Sequence, residues 1–125
     1  MKSTLAALAA AFAFLVLAQP AAAADAAAGE QVFRRLCTAC HIATAEGRRG
    51  VGPTLFGVVG RKSGSVDGFR YSTANQNANL VWTPEVLDKY LTNPREVVPG
   101  TIMAFAGIRN DADRANVIAY LQTLK

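Results

Sequence analysis

The 125-residue sequence contains one histidine, two cysteines, two methionines and one tryptophan. Each scarcity removes a class of chemistry. A lone histidine cannot place two imidazoles on one metal. Two cysteines and one histidine fall short of the four protein ligands of a structural zinc site. Charged residues make up only 18% of the chain, and the formal net charge of +4 is too small an excess to argue for nucleic-acid binding. No stretch shows the alternation of a half-buried strand, and no internal repeat stands out. The length leaves room for one domain, which excludes a multidomain enzyme.

Hydrophobic residues are abundant, at 51%, but unevenly placed: residues 1–24 hold 19 of them and the other 101 hold 45. Met1-Lys2 is a short positive start, Leu5 to Ala18 is apolar and uncharged, Gln19-Pro20 breaks the run, and Ala22-Ala23-Ala24 offers small residues to a signal peptidase. The pattern predicts a secretory signal over residues 1–24, cleaved before Asp25, and an exported, periplasmic domain over residues 25–125. A retained anchor is the rival reading, because Ser3 to Ala24 gives 22 uncharged residues, enough to span a bilayer.

The rest reads as all-α with long loops. Asp25 caps a helix from about Ala26 to Leu36, with Val32, Phe33 and Leu36 on one face and the alanines Ala26-Ala27-Ala28 as a frayed entrance. Ser72 to Ala78 suits a short helix. Thr83-Pro84-Glu85 starts another, with Val86, Leu87, Tyr90 and Leu91 as its apolar face, and Asn93-Pro94 ends it. Asn110 or Asp111 caps a C-terminal helix carrying Val117, Ile118, Leu121 and Leu124. Between Ile42 and Tyr71 lies an irregular stretch with seven glycines in 22 residues. A loop of this length in a compact domain is usually functional, and its glycines let it approach a non-protein group closely. A few short helices bury little apolar surface, so the sequence calls for something else at the centre.

Cys37-Thr38-Ala39-Cys40-His41 supplies it: C-x-x-C-H is the attachment pattern of c-type haem. Both sulfurs reach one edge of a flat ring, each adding to a vinyl group, and His41 follows at once to meet the iron. The alternatives for the same residues are a zinc site, a thioredoxin-like pair and a plain disulfide. Zinc lacks ligands, the redox pair lacks a βαβ setting, and a disulfide leaves His41 and the glycine-rich loop unexplained. With the histidine used, Met103 in the turn-prone Val98-Pro99-Gly100 loop is the soft ligand left for the second axial position. The rival role for a lone methionine is core filler. His/Met ligation favours ferrous iron and fills both axial sites, the arrangement of electron transfer.

The stretches C-T-A-C-H, G-P-T-L-F-G-V-V-G-R-K-S-G, V-W-T-P-E-V-L-D-K-Y-L-T-N-P and V-P-G-T-I-M-A-F-A-G-I, in that order, closely resemble the class I cytochromes c of mitochondrial and photosynthetic-bacterial type. The resemblance implies three to five short helices around one haem c, covalent through Cys37 and Cys40, with His41 and Met103 on the iron. It implies that the Pro53 carbonyl holds the other ring nitrogen of His41, and that Arg61, Tyr71, Asn75, Trp82 and Thr101 surround the haem propionates and their hydrogen-bond network. Tyr90 is expected near the ligand sulfur, and Gly29, Phe33 and Tyr120 where the first helix packs on the last.

The implied activity is that of a monomeric one-electron carrier, not an enzyme. Its implied partners are transient: a quinol–cytochrome c oxidoreductase or a dehydrogenase as donor, an oxidase or photosynthetic centre as acceptor, and the membrane only through them. The alternatives are a dedicated dehydrogenase subunit and a haem peroxidase or gas sensor. The sequence departs from the family at its ring of lysines. Leu36, Gly50 and Ile102 occupy three of those positions, Arg95 and Arg109 keep the charge at two, and Lys62, Lys89 and Lys125 are the lysines of the mature domain.

One departure has a measurable consequence. In the family, raising the pH lets a lysine of the methionine loop displace the sulfur from ferric iron. Here Pro94 to Phe105 contains no lysine, and Arg95 stays protonated with no lone pair to give. The ferric protein is expected to keep its sulfur-to-iron charge-transfer band to higher pH than Ile102→Lys does. A titration with equal midpoints would remove the loop lysine from the explanation.

Overall fold

Asp25 starts the fold twice over. In the computed structural model, which describes residues 22–46 and 50–125, its carboxylate accepts from the N–H groups of Ala27 at 2.8 Å and Ala28 at 3.3 Å. These are two of the donors that a helix start leaves unpaired. Its own N–H donates to Asn116 Oδ1 at 2.8 Å, tying the first helix to the last. The alanine entrance is therefore capped and anchored where fraying was expected. The leader and anchor readings of the N-terminal segment rest largely on residues 1–21, outside the described residues.

Among the described residues five helices follow in order: α1 (Ala26–Leu36), α2 (Thr73–Asn77), α3 (Pro84–Thr92), α4 (Pro94–Val97) and α5 (Asp111–Thr123). Ser72, Thr83 and Asn110 cap α2, α3 and α5 by accepting from the N–H of Asn75, Val86 and Asp113. α4 has no counterpart in the sequence reading. Pro94 ends α3, as its missing N–H requires, and then takes the first position of a new turn. Leu124 is the C-cap of α5 and not part of its helix.

The core forms where α5 crosses α1 and α3. Val32 and Phe33 of α1, Leu87 and Tyr90 of α3 and Val117, Ile118 and Leu121 of α5 are all buried, and the rings of Phe33 and Tyr120 lie 5.2 Å apart. The α1–α5 crossing is close because Gly29 presents no side chain to the Asn116 carbonyl; a Cβ there would overlap it and come within 3.0 Å of Tyr120 Cβ.

The glycine-rich stretch has one point of strand-like pairing among the described residues, an isolated antiparallel bridge between Lys62 and Val81. Bonds from Ser63 N to Leu80 O at 2.8 Å and from Trp82 N to Arg61 O at 2.9 Å dock the loop on the α2–α3 connection. Among the described residues no helix is long and apolar enough to cross a membrane.

Gly29 gives a test of the crossing. Glycine to alanine inside a helix ordinarily gains about 1 kcal/mol. At Gly29 the added methyl meets rigid backbone, and overpacking of this kind costs roughly 1–3 kcal/mol. Gly29→Ala is expected to lower the thermal midpoint by about 5–15 °C. A midpoint at or above the parent's would contradict the close crossing.

Candidate functional site

The end of α1 winds directly into the C-x-x-C-H turn. Cys37 is the C-cap, its N–H donating to Phe33 O at 2.8 Å, and its carbonyl accepts from Cys40 N at 3.1 Å and His41 N at 2.8 Å. One turn thus carries both thiols and the imidazole. The cysteines are unbridged, with Cys37 half-buried and Cys40 exposed. Burial, helped by the neighbouring Cys40, pushes the Cys37 thiol up to about 11. A thioredoxin-like pair needs the opposite shift. A neutral sulfur suits this setting, and a thioether is one.

His41 is fixed from two sides. Its Nδ1 lies 2.8 Å from the Pro53 carbonyl oxygen. A carbonyl only accepts, so Nδ1 carries the hydrogen and Nε2 keeps its lone pair. Burial lowers the pKa of His41 more than the Pro53 contact raises it, which keeps the ring neutral and able to bind a metal. The other constraint is Gly52: a Cβ there would stand 2.6 Å from Nδ1 and 2.9 Å from Nε2. Gly52 N donates to Cys40 O at 2.9 Å, and a Cβ on Gly50 would lie 2.5 Å from that same oxygen. The loop is pressed onto the Cys-Cys-His turn. Gly50 therefore does more than lack a lysine's charge, since any side chain there would have to shift the backbone.

Met103 sits half-buried in the irregular segment between α4 and α5. Thr101 N donates to Val98 O at 3.0 Å, and Thr101 Oγ1 accepts from Met103 N at 3.3 Å. The Tyr90 hydroxyl, delivered by α3, donates to the Met103 sulfur at 3.7 Å. Burial raises the Tyr90 phenol, with Thr101 opposing, so it stays protonated as a donor. The Tyr90 ring packs 4.7 Å from that of Trp82.

The remaining expected residues are more scattered. Arg61 donates from its two terminal nitrogens to Phe56 O and Thr54 O, both at 2.8 Å, which folds the loop beyond Pro53. Burial lowers its pKa. Tyr71 accepts from Val66 N at 3.1 Å. Asn75 Oδ1 is buried without a partner. Thr101, Met103, Tyr90 and Trp82 make one contiguous group, which Arg61 joins through its carbonyl on Trp82 N; the Tyr71 side chain bonds to Val66, and the Asn75 side-chain oxygen bonds to nothing. Gly52 was absent from the sequence reading of the site. Its signal was its place immediately before Pro53.

These residues fit a haem. They offer two unbridged thiols on one turn, an imidazole with its Nε2 lone pair left over and a thioether sulfur. Among the described residues no group of three or more His, Cys, Asp or Glu could hold a metal. The fold and the donor set together define a helical protein built around a covalently held haem.

The comparisons agree. The cytochrome c family pattern matches residues 26–125. Cytochrome c of Trypanosoma brucei brucei is 60% identical over 79 residues, 63% of this chain and 85% of that protein. Cytochrome c2 of Rhodomicrobium vannielii is 52% identical over 102 residues, covering 82% and 81% of the two chains. The cytochrome c-type cyt cy of Rhodobacter capsulatus is 55% identical over 100 residues, 80% of this chain, which spans about half the length of that relative. The structure of cytochrome cH from Methylobacterium extorquens superposes with a TM-score of 0.74 at 45% identity, covering 79% of this chain and 98% of that one. The chain belongs to the cytochrome c family, whose members are electron-transfer proteins with a covalently attached c-type haem.

The clamp on His41 can be tested by contrast. Gly52→Ala is expected to displace the imidazole and cost roughly 1–3 kcal/mol as an overpacked site, with a changed haem spectrum and potential. Gly57→Ala has open space but a φ of +67°, so it should cost about 1 kcal/mol by backbone strain and leave the spectrum alone. Identical spectra for both variants would remove Gly52 from the clamp.

Proposed function

We propose that this chain is a one-electron carrier of the periplasm, its haem attached through Cys37 and Cys40 and held axially by His41 and Met103. The observation that carries the reading is that each axial candidate is neutral and separately fixed, His41 by the Pro53 carbonyl and Met103 by the Tyr90 hydroxyl. When bound, the haem supplies a reversible ferric–ferrous couple. Pro53 accepts the Nδ1 hydrogen, which sets the tautomer and makes the imidazole a stronger donor. Tyr90 draws electron density from the sulfur and holds its direction. Two ligands each held by its own neighbour would need little rearrangement when the charge changes, and together they would leave the iron no position for a substrate.

The leader over residues 1–24 and the bacterial relatives support export. The donor is a quinol–cytochrome c oxidoreductase or a periplasmic dehydrogenase, and the acceptor an oxidase or photosynthetic centre. Val51 and Ile102, 81% and 74% exposed, adjoin the loop on His41 and the methionine itself. They support a docking face with an apolar centre in place of lysines.

The decisive variant is Met103→Leu. It should retain covalent haem, lose the sulfur-to-iron charge-transfer band and fall in reduction potential, because no other methionine remains in the domain. Redox titration and the ferric spectrum check this together. A parental potential and band would reject Met103 as ligand.

A further inference from the structure

Arg114 is the one buried charged side chain among the described residues, and nothing in the electron-transfer reading uses it. Its side chain is 10% exposed. Three donors go to three different places: Nε to Asp88 Oδ1 of α3 at 2.7 Å, Nη2 to Asp111 Oδ1 of α5 at 2.9 Å, and Nη1 to the Ile108 carbonyl at 2.9 Å. Asp88 and Asp111 are 50% and 91% exposed, so their ion pairs with Arg114 add little to the joining of helices, which apolar residues would do at least as well. What apolar residues cannot do is hold a specific backbone carbonyl.

That carbonyl belongs to the far arm of the methionine loop. The segment from Val98 to Asn110 has no regular structure. Its near arm is fixed at Val98, 1% exposed, whose N–H donates to Pro94 O at 2.9 Å. Its far arm is fixed at Ile108, 4% exposed, whose N–H donates to Leu91 O at 2.7 Å at the end of α3. Gly107, at φ +102°, lets the chain lie against the same end, 3.0 Å from Leu91 O at the position of a Cβ. Both polar groups of the Ile108 peptide are thus used: the N–H holds α3, and the carbonyl holds Arg114. Between the two fixed points the loop carries Met103.

Resting on the assignment of Met103 as ligand, we infer that Arg114 is a positioning residue for the sixth ligand, clamping the far arm of the methionine loop through the Ile108 carbonyl, with Asp88 and Asp111 aiming its guanidinium. The planar fork is what the task requires. A lysine ammonium would keep the charge but could not span three acceptors in this geometry. Releasing the Ile108 carbonyl loosens the far arm, which keeps only the bond from Ile108 N to Leu91 O and the burial of its side chain, while the apolar contacts among α1, α3 and α5 remain.

The test uses the holoprotein and three variants, Arg114→Lys, Arg114→Gln and Asp88→Asn. Two quantities are read: the affinity of the ferric protein for added imidazole, which must displace the sulfur, and the denaturant midpoints for loss of the charge-transfer band and for loss of helix. Loss of one charge-assisted hydrogen bond predicts that Arg114→Lys and Arg114→Gln bind imidazole about tenfold more tightly. Their band midpoint should fall further than their helix midpoint. Asp88→Asn, which keeps the arginine and one carboxylate, should fall between them and the parent, and it decides the matter if the arginine variants do not fold. Unchanged imidazole affinity, or band and helix midpoints moving together, would make Arg114 a general structural residue and overturn the inference. Absence of the charge-transfer band from the parent itself would instead overturn the assignment of Met103.

Discussion

The hydrogen bond between His41 Nδ1 and the Pro53 carbonyl, 2.8 Å long, is the contact on which the rest of the site depends. It joins two segments twelve residues apart and decides the tautomer. With Nδ1 protonated, the lone pair left on Nε2 is the donor a metal takes. Burial lowers the pKa of the ring, which favours the neutral form that a metal ligand needs over that of a proton carrier. The close approach of Gly52 and the bond from its N–H to the Cys40 carbonyl place the Pro53 carbonyl at that distance.

With long loops between its helices, the fold keeps them ordered by bonding side-chain polar groups to backbone carbonyls and N–H groups. Arg61 holds the carbonyls of Thr54 and Phe56; Ser63 accepts from Leu80 N; Thr101 accepts from Met103 N; Arg114 holds Ile108. Each satisfies a peptide group that a helix or sheet would otherwise have paired. The helices supply what these bonds need, a fixed frame. α1 and α5 are locked by the Gly29 crossing, and α3 brings Tyr90 to the methionine sulfur and Leu91 to the far arm of its loop. The pieces form a system in which two neutral axial candidates are gripped from opposite elements, one by a loop and one by a helix.

Much of this was legible in the sequence because it is local. Asp25, Ser72, Thr83 and Asn110 announce helix starts through their own side chains, and Cys37, Cys40 and His41 carry their chemistry in their spacing. What escaped is non-local. α4 was hidden because Pro94 reads as the end of a helix, and only the structure reveals that it also begins one. Arg114 looks from the sequence like any charged residue on an amphipathic helix. Its burial depends on Asp88, 26 positions away, and on a loop carbonyl that no side-chain pattern records. Arg61 was expected by resemblance near the propionates, and its contacts among the described residues are with the loop backbone. The alanine entrance to α1 was read as frayed because low complexity hides the bond from Asp25 N to Asn116.

With His41 and Met103 both on the iron, as proposed, the haem would have no open position and the chain would carry electrons without binding a substrate. Exposure of the ferrous protein to carbon monoxide at neutral pH tests it most directly. The expected absorption spectrum does not change on mixing, because a methionine loop gripped at Val98 and Ile108 would keep the sulfur on the iron. Rapid formation of a carbonyl complex in the intact protein would show an open axial position and contradict the claim.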